Sequence, residues 1–213
     1  ILAAKTDPTA RGKGVSLIIV ETNRPGFKLG RPLHKIGSKA MDTSELFFDN
    51  VRVPVDNLLG VEGNGFLQLV TELAQERLLQ AIRSTAASEA ALEWTVAYTS
   101  ERQAFGKRLA DFQNTQFKLA EMKAELMLQR VFVDRCIELH LERKLDAVDA
   151  AVAKMTSTEL QGKVMDQCLQ LFGGWGYMWE VPIARAYADA RMSRIAGGSI
   201  EIMKQIIARS MLS

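Results

Sequence analysis

The sequence predicts an α+β fold: a partial β domain over residues 1–60, then an antiparallel helical bundle over residues 61–213. Three observations carry this. Short apolar runs closed by turn residues fill the first sixty positions. Near Gly65 the apolar spacing changes to steps of three and four. Beyond that point the breaks between helical stretches are short, which favours antiparallel neighbours.

The elements follow in order. Ile1 to Ala4 and Val15 to Val20 are short apolar runs bounded by Asp7-Pro8 and by Asn23-Arg24-Pro25-Gly26, and both read as strands. Ser44 to Val53 alternates well enough for a third strand, with Asp49-Asn50 as a bulge or turn and Pro54 closing it. So few strands cannot bury two faces. The runs around Ile1–Ala4 and Val15–Val20 are therefore expected to leave unpaired edges prone to association.

A helix opens near Gly65 with Leu67, Val70, Ala74, Leu78 and Ala81 on one face. A second starts near Asp111 and repeats the pattern through Phe117, Ala120, Ala124, Met127 and Val131. A third runs from about Leu145 to Leu171. A fourth runs from Pro182, suited to a first helical turn, to about Met192. The last begins near Ser199, an acceptable N-cap. Trp175, Tyr177 and Trp179 read as bundle packing.

Composition excludes several function classes. Lys plus Arg is 27 and Asp plus Glu is 25, a net charge of +2. That gives no electrostatic case for nucleic acid or an anionic membrane. No apolar run is long enough to span a bilayer. Cys136, Cys168, His34 and His140 have no metal-ligand spacing, so no metal site is expected. The cysteine count fits a reducing compartment. The chain opens on Ile1 with strand-like sequence at once, and it reads as part of a longer polypeptide.

Two glycine-rich breaks interrupt the helical half, at Gly173-Gly174 and at Gly197-Gly198. Glycine admits positive φ and lets backbone approach a flat ligand. Helix-forming sequence follows each break, so amide N–H groups can face an anion there. With Glu101-Arg102-Gln103-Ala104-Phe105-Gly106-Lys107, Gln75-Glu76-Arg77-Leu78-Leu79 and Gly173-Gly174-Trp175-Gly176-Tyr177-Met178-Trp179-Glu180, the pattern resembles the C-terminal part of the acyl-CoA dehydrogenase family. It is most similar to the long-chain branch. The resemblance covers essentially the whole chain and implies a missing N-terminal helical domain.

The resemblance also implies site residues. These flavoenzymes need a carboxylate to remove the α-proton of a thioester while FAD takes a hydride from the β-carbon. Most members carry that Glu in the loop that reads Ile195-Ala196-Gly197-Gly198-Ser199 here, where the matching position is Gly197. A subset carries it on an earlier helix, in a Glu-Arg pair, and Glu76-Arg77 matches that pair. Glu76 is therefore the expected base, with Glu72 and Glu201 as the remaining candidates. The helix dipole would lower the pKa of Glu201 and make it the poorer base.

Arg102 matches a contact to the flavin diphosphate, a task that suits its forked guanidinium. Phe105 and Gln113 match further cofactor contacts. Gln170, Leu171, Phe172, Gly173 and Gly174 match the segment along the adenine half. Ser199, Ile200 and Glu201 match flavin-side positions, and Arg77, Gly197 and Gly198 match substrate-side ones. The implied partners are a fatty acyl-CoA, electron-transfer flavoprotein as acceptor, and further copies in a homotetramer. The implied location is the cytoplasm of a bacterium or the mitochondrial matrix of a eukaryote. Two other readings remain open: an acyl-CoA or nitroalkane-type oxidase on the same fold, and a helical interaction module without catalysis.

Overall fold

The computed structural model describes residues 1–212. The chain divides into two compact units, Ile1–Leu73 and Ala74–Ser213. In the first, strands β1 (Leu2–Lys5), β2 (Val15–Ile18) and β5 (Leu58–Leu59) form an antiparallel sheet in the order β1-β2-β5. Leu2 faces Ile18 and Lys5 faces Val15 across the first pair. The central strand is thus β2, paired on both sides, which corrects the expected open edge at Val15–Val20. The covering partner, Leu58-Leu59, is too short to register as a period. β1 does lie at a sheet edge.

A separate hairpin pairs β3 (Phe27–Pro32) with β4 (Ser44–Phe48). Phe27 opposes Phe48, and their rings meet edge to face with centroids 5.3 Å apart. Sequence reading carried this last strand to Val53. It stops at Phe48, because Asn50 takes a left-handed φ of 50° that no ladder accommodates. β3 escaped sequence reading because Lys28, Gly30, Arg31 and Pro32 dilute its alternation.

Helix α1 (Gly65–Glu101) opens within the first unit. Its entry is tied to β2: the Gly63 N–H donates to Ser16 Oγ at 2.9 Å, and Asn64 bridges Val15. The boundary between the two compact units therefore falls inside α1. Past Ala81 the buried face of α1 turns polar and small, with Ser84, Thr85, Ser88, Thr95 and Thr99 all enclosed. Ser88, Thr95 and Thr99 each donate to the carbonyl four residues back at 2.7 Å. Those bonds satisfy the hydroxyls without a partner from another helix.

The second unit is the bundle. A two-stranded hairpin, β6 (Gln103–Ala104) and β7 (Lys107–Arg108), leads through a short turn to α2 (Gln113–Leu141). Then come α3 (Ala147–Phe172), α4 (Pro182–Ser193) and α5 (Ile200–Leu212). Asp146 caps α3 by accepting from the Val148 and Asp149 amides, each at 2.8 Å. Pro182 opens α4 as read. One core joins Ala91 and Leu92 with Met122, Leu126, Met165, Cys168 and Ile183. A second joins Leu78 and Ala81 with Val133, Cys136 and Ala153. Among the described residues, no helix is long and apolar enough to cross a membrane, and no group of His, Cys, Asp and Glu could hold a metal.

Candidate active site

Two clusters in the helical unit collect most of the residues singled out above. The first lies where the loop before α5 meets α1. Gly197 and Gly198 take φ values of 68° and 97°, a region closed to most side chains. A Cβ at Gly198 would also meet Met203 Cε at 2.9 Å. A Cβ at Gly197 would lie 3.6 Å from Gln80 Cγ, so the loop rests on α1. Gln80 is one turn beyond Glu76, and residues four apart share a helix face at a rise of about 6 Å. The exposed Glu76 carboxylate thus shares the face on which the glycine loop rests. Glu72 is one turn further off.

Two buried cations belong to this cluster: Lys154 bonds the loop, and Arg77 lies near enough for its charge to act on Lys154. Arg77 is 7% exposed, its Nε has no protein partner, and burial pulls its pKa down. Lys154 on α3 has no exposed surface and donates from Nζ to the Gly198 carbonyl at 2.7 Å. Burial lowers its pKa, the charge of Arg77 lowers it further, and Glu201 opposes both. Glu201 itself is exposed, and its pKa is lowered chiefly by a hydrogen bond with Ser199. The direction matches the sequence expectation, but the leading cause is local rather than the helix dipole. The Ser199 carbonyl accepts the first intrahelical bond of α5 from Met203 N–H at 3.1 Å, as an N-cap residue does.

The second cluster is a cavity of about 640 Å³. Arg102, Gln170, Leu171, Phe172, Gly173 and Gly174 all line it. Its wall is stiffened by Tyr98, which stacks on Phe172 at 4.3 Å and donates to the Phe172 carbonyl at 3.2 Å. A Cβ on Gly173 or Gly174 would meet nothing within 4 Å, so bare backbone faces open space there.

Phe105 and Gln113 are not among the residues lining this cavity. Phe105 projects from the β6–β7 turn, 95% exposed at a φ of 53°, with its ring edge-on to Phe112 at 6.5 Å. Gln113 begins α2 and is exposed. Trp175, Tyr177 and Trp179 were expected to pack in the bundle. Instead all three are exposed; Trp175 and Tyr177 ride on the 3-10 turn Gly173–Tyr177 in which the chain leaves α3, and Trp179 follows it before α4.

Residues 63–212 match the family model described as "Acyl-CoA dehydrogenase, C-terminal domain". The chain belongs to the acyl-CoA dehydrogenase family. It is 51% identical over 214 residues to the long-chain specific acyl-CoA dehydrogenase of pig mitochondria (Sus scrofa), covering all of this chain and 50% of that relative. The crystal structure of an acyl-CoA dehydrogenase from Geobacillus kaustophilus superposes with a TM-score of 0.95 at 48% identity, covering 98% of this chain and 56% of that one. A structure of PigA with FAD and proline gives a TM-score of 0.90 at 28% identity, covering 98% and 54%. The chain spans about half the length of the curated relatives it matches.

In this acyl-CoA dehydrogenase chain the cavity takes further walls from Tyr98, Leu109, Thr115, Trp175 and Met178. Sequence reading assigned none of these to a site. Tyr98 and Thr115 fall on helical periods and look like core. Lys154 was missed for the opposite reason, since one Lys in a helix reads as solvated surface. Its signal was the apolar run around it, Ala150-Ala151-Val152-Ala153.

Proposed function

We propose that the polypeptide carrying this chain is an FAD-dependent acyl-CoA dehydrogenase that oxidises the Cα–Cβ bond of a fatty acyl-CoA to the trans-2-enoyl-CoA. The observation that carries the reading is the meeting of the Gly197–Gly198 loop with α1 one turn from Glu76. The loop has no carboxylate of its own, and α1 supplies one on the adjoining face. Glu76 removes the α-proton. The glycine loop leaves room for the thioester, with the buried Arg77 next to Glu76 on α1.

The residues present fit FAD. Bare backbone at Gly173 and Gly174 leaves a cradle that a side chain would fill, and Arg102 lines the same cavity with a guanidinium suited to a diphosphate. Gln170, Leu171 and Phe172 complete that wall, and Phe105 and Gln113 stand at the exposed end of the β6–β7 hairpin and the start of α2 for the same cofactor. Ser199, Ile200 and Glu201 offer amides at the start of α5. FAD, when bound, supplies the acceptor for the hydride leaving the β-carbon. The resemblance to long-chain enzymes supports a long acyl chain, electron-transfer flavoprotein as acceptor and a homotetramer. It supports the mitochondrial matrix for a eukaryotic source and the cytoplasm for a bacterial one.

The test is turnover of a long-chain acyl-CoA by the flavin-loaded holoenzyme, with electron-transfer flavoprotein or oxygen as acceptor. Enoyl-CoA formation with the flavoprotein and little with oxygen is the expected result. Turnover with oxygen alone would make it an oxidase. No bound flavin and no turnover would leave the interaction module.

A further inference from the structure

Lys154 heads the fully buried side chains by volume, ahead of Met122 and Leu126. Its neighbour Arg77 is also buried, and neither forms an ion pair with a carboxylate among the described residues. Two enclosed cations that repel one another are a poor way to stabilise a fold. A methionine of similar length would pack there without the desolvation cost. What the ammonium does make is one short bond, to the Gly198 carbonyl oxygen at 2.7 Å.

That bond has a geometric consequence. A trans peptide is planar, with its carbonyl and its N–H pointing in opposite directions. Drawing the Gly198 carbonyl toward α3 turns the Ser199 N–H away from α3. Gly198, at a φ of 97°, has few steric limits of its own to hold that plane. On the other side Gly197 rests on Gln80 of α1. The loop is laid against one helix and held by a charged donor from another.

We propose that Lys154 is a positioning residue for the dehydrogenation: its ammonium clamps the Gly198 carbonyl and so holds the Gly197–Ser199 backbone in the one arrangement that seats the thioester against Glu76. The proposal rests on the function proposed above, and it assigns the buried lysine to catalysis through the loop rather than to the stability of the bundle.

The test uses Lys154→Met and Lys154→Gln in the flavin-loaded holoenzyme. Both remove the charge, and the glutamine keeps a polar tip too short to reach. Four quantities are read: thermal midpoint, bound flavin, the split between kcat and KM, and amide hydrogen exchange at Gly198–Ile202. The expected result is a thermal midpoint unchanged or raised, full flavin content and KM nearly unchanged. With these, kcat falls by up to about 100-fold, the scale of a displacement near 1 Å. Exchange at Gly198–Ile202 should quicken while the α2 core stays protected. Unchanged kcat in either folded variant overturns the proposal. A lowered midpoint with flavin loss in both variants also overturns it, since that is structural support alone. The exchange measurement needs no substrate, so it judges the clamp separately from the reaction. Wild-type holoenzyme that oxidises no acyl-CoA overturns the functional reading instead.

Discussion

Buried ionisable side chains set the chemistry that single residues of this chain can report. Cys136 has no exposed surface, and burial, with Asp149 adding to it, pushes its thiol up to about 11 from an ordinary 9.0. A folded value above the unfolded one favours the native state while the thiol is protonated. That contribution is complete below about pH 9 and is lost as pH rises through about 11. Denaturant titrations across this window should show Cys136→Ala losing less stability than the native sequence. Equal losses would mean that the thiol is not held in its neutral form. Site residues were legible in proportion to how unusual they are in a helix. The Gly173-Gly174 pair was found because two glycines beside aromatic residues break a helical period, and Arg102 because its motif resembles the family's diphosphate contact; all three line one cavity. Phe105 was named from the same motif, but whether a ring on a left-handed turn faces inward is decided by tertiary packing that no period encodes.

At the scale of elements, the helices were the legible part. α2 to α5 begin within two residues of the positions read from caps and periods, because each long helix needs one apolar stripe and an identifiable start. Strands β3 and β5 and the β6–β7 hairpin were missed, since runs of two residues, or a run diluted by Gly and Pro, carry no period. Two predictions belong here. Asp146→Ala removes the carboxylate oxygen that accepts from two amides in the first turn of α3 and should cost about 1 kcal/mol in chemical denaturation. A cost near zero would show that water replaces the cap. Gly174→Leu places a side chain in the open space of the cavity, at a φ that is not left-handed. The variant should keep its thermal midpoint as apoprotein and lose bound flavin. Full flavin content in Gly174→Leu would move the cofactor away from this wall.

Large apolar side chains stand exposed along the helical unit. Met127, Leu128, Val131 and Leu141 lie exposed along α2. Patches of this kind mark association surfaces. The holoenzyme is expected to sediment as a homotetramer and Val131→Glu to dissociate it, whereas a stable wild-type monomer with full flavin occupancy would contradict that assembly. Expressed alone, residues 1–213 should hold FAD weakly and not turn over acyl-CoA, because the chain spans about half the length of its relatives and the second wall of the flavin site is expected from the rest. Stoichiometric yellow protein with turnover would contradict this.

The most direct measurement of the central claim is rapid anaerobic mixing of the holoenzyme with a long-chain acyl-CoA, following the loss of visible flavin absorbance. Wild type and Glu201→Gln should bleach at similar rates. Glu76→Gln should retain flavin and bind acyl-CoA, yet bleach more slowly by a factor of about 10² to 10⁴, as expected for loss of a general base. Fast bleaching in Glu76→Gln with none in Glu201→Gln would contradict the account and move the base to the start of α5.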